Sequence, residues 1–524
     1  MASPPPPVTH VSRNALVTAA AASVVSGTGI VREMTFASVL GAGLATDAYN
    51  AAFRAAQFFR EFLAEGSLAN LYVPVFAGTW QAEGREAAFR LASAFLGVLL
   101  VVLGCVTVGT FVLADGWVWV IASGFAENPD KFALSARLTR VLSPFLALVS
   151  LASLSMGMLN VRGRFFLPAV APASVHLAVI AACLLARPFE AWTGEPAVVA
   201  VALGALGGGL GQILVQIPAL RREGFRFRPT FRGHPHLKRC LAFLVPAFVG
   251  VVSVQVHLAV ESQIASRFGD GPVSYLHYAF RLVQLPNSIV AASVGVATLA
   301  GLSTLAARGR RDAMSGVLGE ALTLDSFLVV PAAVGLWMLA DPLVALVYER
   351  GAFTADDTIA TSALLRMYAI ATWGICIQRV LLPAYYAVGR PVFPMTVALA
   401  TMALKLPVAL LLVYPAGLGI AGLPLSHAVL VTVEVAVLLA GLRSRIGALP
   451  RVLWAHHLRI GAAAGGMATV LHLLGPVSHG LGLLAVVAGG GFTYVALARL
   501  LGVPAAFRLA AHVRNGPGGP PPAP

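Results

Sequence analysis

Four arginines fall where a hydrocarbon layer would leave them without water. Arg32, Arg54 and Arg60 lie in the apolar stretch 29–74, and Arg281 lies in a second apolar segment far down the chain. Guanidinium groups in such places want an anion. Their planar forks match phosphate oxygens through paired, charge-assisted hydrogen bonds, so a diphosphate would satisfy several at once. The same stretch holds the acids Glu33, Asp47, Glu61 and Glu65. These allow a second reading, in which the arginines are structural and paired with Glu33, Glu61 and Glu65. Asp47 follows the Gly41-Ala-Gly43 break. It either closes a gate by pairing with a cation of the opposite half of the molecule, or complements the dipole of its own helix N-terminus. Gln255 and Glu261, in a later apolar segment, are a candidate cation site. Ionisable residues at membrane depth mark function by default.

The elements that must hold these residues follow from composition. Of 524 residues 58% are hydrophobic and 11% charged, against about 25% charged in soluble domains, and mean hydropathy is +0.83. The chain is therefore an all-α, multi-pass membrane protein. About fourteen segments are long enough to span, starting near 14, 47, 86, 132, 165, 196, 238, 272, 314, 357, 391, 419, 453 and 480. Cys105, Cys183, Cys240 and Cys376 fit no disulfide or metal spacing, and no hydrolase triad or P-loop is present. The protein is read as no enzyme, with no metal and no cofactor. Its net charge of +14 suggests nucleic acid, but the distribution argues against that partner. Eighteen arginines and lysines fall in loops of one side and four (Lys131, Arg187, Arg267, Arg350) in loops of the other. The positive-inside rule places the first set and both termini in the cytoplasm.

A repeat organises the helices. Ala52-Phe53-Arg54-x-x-Gln57 recurs as Ala279-Phe280-Arg281-x-x-Gln284, an offset of 227. Gly163-Arg164 recurs as Gly389-Arg390 at 226, Gly84-Arg85 as Gly309-Arg310 at 225, and Asp115 as Asp341 at 226. The two aspartates each open an apolar segment too short to span, 117–125 and 342–348. Six helices per repeat is an even number, so both copies share one orientation, with a pseudo-two-fold axis along the membrane normal. The expected order is a tail (1–13), an N-lobe of six helices (14–222), a basic linker (223–237), a C-lobe of six (238–445), a helix pair (446–505) and a Pro/Gly-rich tail (506–524).

The motifs also carry a resemblance. G-x-x-R-E at 29–33, G-A-G-x-A-T-D-A at 41–48 and A-F-R-x-x-x-x-F-R-x-x-x-A-E-G at 52–66 resemble the MurJ/MviN lipid II flippases of the multidrug/oligosaccharidyl-lipid/polysaccharide exporter superfamily. The similarity continues through DKFALSARL at 130–138, SLASLSMGMLN at 150–160, RFFLPAVAPA at 164–173 and YERGAFTADD at 348–357. It implies a flippase carrying an undecaprenyl-diphosphate-linked peptidoglycan precursor from inner to outer leaflet of the bacterial cytoplasmic membrane, working by alternating access. It also implies diphosphate ligands at Arg32, Arg60 and Arg281, a gate acid at Asp47, and cell-wall synthesis proteins as partners. The membrane potential or a monovalent cation is the expected drive. Ser26, Phe280 and Gln284 stand where the family often has an arginine and two acids. A paralogue with another polyprenyl-linked cargo, a drug antiporter and a non-transporting scaffold are the competing readings. The arginines speak against the antiporter, which would line its cavity with acids.

Overall fold

The computed structural model describes residues 8–63, 67–226, 228–230, 244–290, 296–308, 310–447, 449–475 and 480–507. All of its regular structure is helical. In chain order these are α1 (Val8–Leu40), α2 (Leu44–Leu63), α3 (Ser67–Glu83), α4 (Arg85–Val112), α5 (Ala114–Ala122), α6 (Pro129–Leu142), α7 (Phe145–Val161), α8 (Phe166–Val170), α9 (Ala173–Leu184), α10 (Ala186–Thr193), α11 (Ala197–Leu214) and α12 (Ile217–Arg222). Then come α13 (Leu244–Ala265), α14 (Pro272–Val290), α15 (Val296–Ala307), α16 (Arg311–Met338), α17 (Ala340–Tyr348), α18 (Ala355–Ala387), α19 (Val392–Val413), α20 (Gly422–Ile446), α21 (Arg451–Leu473) and α22 (Gly480–Leu500). Among the described residues nine helical stretches are long and apolar enough to cross a membrane. Several are also greasy on the outside: Val112, Leu184, Ile359 and Leu500, each in a different one of them, are more than three-fifths exposed. Water would penalise such a surface, whereas acyl chains match it.

Contacts group the chain into two units, residues 1–274 with 350–354, and residues 275–349 with 355–524. The first has a core of rings and aliphatic side chains. Tyr72 of α3 meets Phe76 of its own helix and Phe95 of α4, and the rings continue through Trp80, Phe89 and Phe225, beside Leu99, Leu154 and Met158. The second unit centres on Leu318, Val329, Ile377, Val380, Leu381 and Leu438. Its last two helices, α21 and α22, pack on α16 through Ile460, Met467, Leu483 and Tyr494, and the Tyr494 hydroxyl donates to the Phe327 carbonyl at 2.8 Å.

One local helix pattern occurs in both units. Helices α4 and α16 both run 28 residues and both stop at a leucine, Leu113 or Leu339, with nearly the same backbone angles. Each is followed by a nine-residue helix, α5 or α17. Each short helix is then pinned by an ion pair, Arg140 to Asp115 in the first unit and Arg366 to Asp341 in the second. The segments too short to span are thus separate helices.

Candidate functional site

Arg32 and Glu33 occupy the last third of α1. They pair with each other although they are sequence neighbours, and both are mostly buried, with side chains 17% and 10% exposed. Consecutive residues on a helix normally diverge; here the long arginine side chain folds back onto the shorter glutamate. One turn earlier, the α9 residue His176 is held by the Thr28 hydroxyl and the Val25 carbonyl, both 3.2 Å from Nδ1. Its ring fills the space that a Cβ on Gly29 would take. His176 thus packs α9 against α1 and belongs to the core.

At Gly41, φ is +65°, a left-handed conformation that glycine adopts without strain. The chain turns there and restarts as α2, whose first turn carries Asp47. This carboxylate is fully buried and surrounded by donors. Oδ2 accepts from the Lys131 ammonium and the Gly271 N–H, each at 2.8 Å. Oδ1 accepts from the Ser274 N–H at 2.8 Å and the Ser274 hydroxyl at 2.5 Å. Lys131, only 2% exposed, also reaches Asp270 at 2.8 Å and the Gly269 carbonyl at 3.1 Å. It lies 4.2 Å from the centre of the Phe125 ring. Asn50 adds a contact to Ser274 at 3.4 Å. A buried charge survives only when paired and hydrogen-bonded, and this cluster meets that requirement.

In this structure the cation paired with Asp47 is Lys131, which belongs to the same N-terminal run of helices. What Asp47 takes from later in the chain is neutral: two backbone N–H groups and a hydroxyl at the start of α14. Lys131 was missed because it reads as a loop charge, 84 residues from its partner. The usable signals were the Asn128-Pro-Asp start of α6, where the Asn128 side chain caps the Lys131 N–H, and the Gly269-Asp-Gly-Pro turn before α14.

Arg54 is half-buried on α2 and Arg281 half-buried on α14. Beside Arg281, Phe280 is buried and packs on Tyr368, ring centres 5.4 Å apart, while Gln284 is exposed. The side chains of Arg60 and Glu61, and Glu65 altogether, lie outside the described residues. On α13, Gln255 and Glu261 are 1% and 2% exposed. Six residues apart on one helix, they sit about 120° around and ~9 Å along from each other. Neither amide atom of Gln255 has a hydrogen-bond partner among the described residues. Among those residues no cluster of three or more His, Cys, Asp or Glu is placed to hold a metal. In the second unit Lys405 donates to Ser426 at 2.8 Å and to the Leu423 carbonyl, and Glu434 accepts from Gln378 at 2.6 Å.

Comparison with known proteins fits this architecture. A solved structure described as "Lipid II flippase MurJ, inward closed conformation" superposes with a TM-score of 0.77 at 22% identity, covering 93% of this chain and 98% of that one. An inward-facing MATE family transporter of the MOP superfamily follows at 0.68 and 16% identity, covering 83% of this chain and 98% of that one. The probable lipid II flippase MurJ of Bdellovibrio bacteriovorus is 33% identical over 485 residues, 89% of this chain and 91% of that protein. The lipid II flippase MurJ of Burkholderia cenocepacia is 32% identical over 424 residues, 80% of this chain and 81% of that protein. The family model described as "Lipid II flippase MurJ" matches residues 36–487, and with it the chain belongs to the MurJ family.

Proposed function

We propose that this protein translocates lipid II, the undecaprenyl-diphosphate-linked peptidoglycan precursor, across the bacterial cytoplasmic membrane by alternating access. The observation that carries the reading is the family match over most of the chain, together with buried or half-buried arginines on α1, α2 and α14. Arg32, Arg60, Arg281 and Arg54 hold the diphosphate. Glu33 keeps Arg32 charge-compensated while no substrate is bound, and the diphosphate displaces it. Exchange of one anion for another avoids leaving a bare guanidinium in a low-dielectric site. Asp47 is the gate residue. Its donors at Lys131, Gly271 and Ser274 hold one conformation closed, and their release opens the path. This reading assigns Glu61 and Glu65, by their sequence positions, to the same gating and ion-pair set.

The lobes at 14–222 and 238–445, the linker at 223–237 and the added pair at 446–505 belong to this proposal. The recurrence of the α4–α5 pattern in α16–α17 supports it. So does the one-sided distribution of arginine, which sets both termini in the cytoplasm. The membrane potential or a monovalent cation resets the cycle, with Gln255 and Glu261 as the candidate cation site. One charge crossing 100 mV is worth about 2.3 kcal/mol. The Arg32–Glu33 pair is neutral as a unit, so the substrate's diphosphate and the remaining arginines must carry the charge that feels the field.

Complementation tests the function. Cells depleted of their own lipid II flippase should grow with the wild-type chain and lyse with Arg32→Ala or Arg281→Ala at equal expression. Growth with every variant would remove these arginines from the mechanism. Lysis with a well-expressed wild type would overturn lipid II as the cargo.

A further inference from the structure

The arginine-rich end of the first unit contains a built cavity that the transport reading does not use. After α12, the chain turns at Gly224, where φ is +80°. Two points beyond the turn are fixed. Phe225 is 1% exposed and sits in the aromatic core against Phe89, and the Thr230 N–H donates to the Ser93 carbonyl of α4 at 3.1 Å. Phe225 is buried, while Arg226 and Arg228 are exposed. Together with Arg221, Gly224 and Phe225 they line a cavity of about 570 Å³. Arg85, lying over the Phe89 ring, places its guanidinium against Gly224 at the edge of this space.

The charge balance here is lopsided. Glu223 is occupied by Arg162 at 2.9 Å and Arg164 at 3.4 Å, and Arg162 also stacks on Trp80. Glu86 pairs with Arg90. Arg221, Arg222, Arg226 and Arg228 have no carboxylate partner among the described residues, and residues 231–243 contain no acid that could supply one. Arg221 and Arg222 close a stretch, Ala197–Arg222, that is long and apolar enough to span. The cavity therefore lies where a spanning segment ends, at the depth of lipid phosphates.

We infer that this cavity binds the phosphate headgroup of an anionic phospholipid, with Arg221, Arg226 and Arg228 as ligands. Guanidinium forks bind phosphate oxygens in pairs, basic pockets at helix ends recognise anionic headgroups, and the volume lies in the range of small-ligand sites. The anchors at Phe225 and Thr230 limit the backbone ordering cost at binding.

The full-length protein in detergent would be titrated with phosphatidylglycerol, with phosphatidylcholine of the same acyl chains, and with inorganic phosphate, following its unfolding temperature. Phosphatidylglycerol should protect and phosphatidylcholine should not. Arg226→Ala/Arg228→Ala should raise the half-protecting concentration more than tenfold, at about fivefold per arginine. The Lys/Lys variant at these positions, which keeps the charges and loses the forks, should recover only part of the protection. A control pair, Arg443→Ala/Arg445→Ala, removes two exposed arginines from the end of α20 and should change it less than about twofold. An equal loss in both pairs would reduce the effect to diffuse surface charge and overturn the site. Equal protection by inorganic phosphate would assign the cavity to the free ion and overturn the lipid.

Discussion

The two copies of the repeat solve the same local problem with opposite chemistry. In the first, the helix after the short helix carries a base: Lys131 donates to Asp47 on α2. In the second, the equivalent position, offset 226, is Asp357. It accepts at 2.9 Å from the Tyr275 hydroxyl, which sits on α14 one residue past the equivalent of Asp47. Donor and acceptor have changed places. The equivalent of Asp47 itself, offset 227, is Ser274, and these two residues are bonded to each other. Two carboxylates at hydrogen-bond distance cannot both stay ionised. Serine at 274 keeps its contact with Asp47 free of that conflict.

The comparison can be broken most strongly by restoring the symmetry. Ser274→Asp sets a second carboxylate against Asp47 and should destabilise the closed arrangement by more than about 3 kcal/mol, the scale of an uncompensated buried charge. A fall in unfolding temperature that Asp47→Ser largely reverses is the expected signature. Lys131→Met should cost about 3 kcal/mol for the same reason. The double variant with Asp47→Asn should recover part of that, and a coupling below ~1 kcal/mol in the double-mutant cycle would show the pair to be incidental. Tyr275→Phe removes one hydrogen bond to Asp357 and should cost about 1 kcal/mol in thermal unfolding. The smallest effect belongs to Glu223. Its carboxyl is held below the usual range by its hydrogen bond from Arg162 and then by Arg164. A depressed carboxylate contributes its stability above its unfolded value and loses it as pH falls through the carboxylate range. Wild type and Glu223→Gln should differ by less than about 1 kcal/mol near neutrality and converge below about pH 4.

Much of this was written in the chain. The Gly41–Gly43 break, the short helices after Asp115 and Asp341, and helix starts near 86, 165, 196, 314, 391 and 453 followed from hydropathy, glycine and charge. Those signals are local, and the repeat doubled them. Lys131 was not legible, because its meaning depends on a fold that brings it to Asp47 across 84 residues. Nor was the Arg32–Glu33 pair, because neighbours on a helix usually point apart and only the arginine rotamer joins them. The donors at Gly271 and Ser274 escaped notice for a simpler reason. Backbone N–H groups have no residue signature, and only the position of the α14 N-terminus shows that they face a carboxylate.

The glycine at the α1–α2 break has a further consequence, for which substitutions the chain tolerates. A Cβ on Gly41 would run into the Ala352 carbonyl oxygen, and one on Gly351 into the Ser38 carbonyl oxygen. The same two strands of chain are joined by the Ala352 N–H donating to Ser38 O at 2.8 Å. Both glycines have positive φ, so backbone shape and backbone contact exclude every side chain at once. A complete substitution scan across residues 29–74 would then give an inverted profile. Arg54 and Glu33 would each admit some polar replacement, while the uncharged Gly41 would admit none. In this stretch the strictest positions are set by the absence of atoms, and a ranking of its residues by charge would place them last.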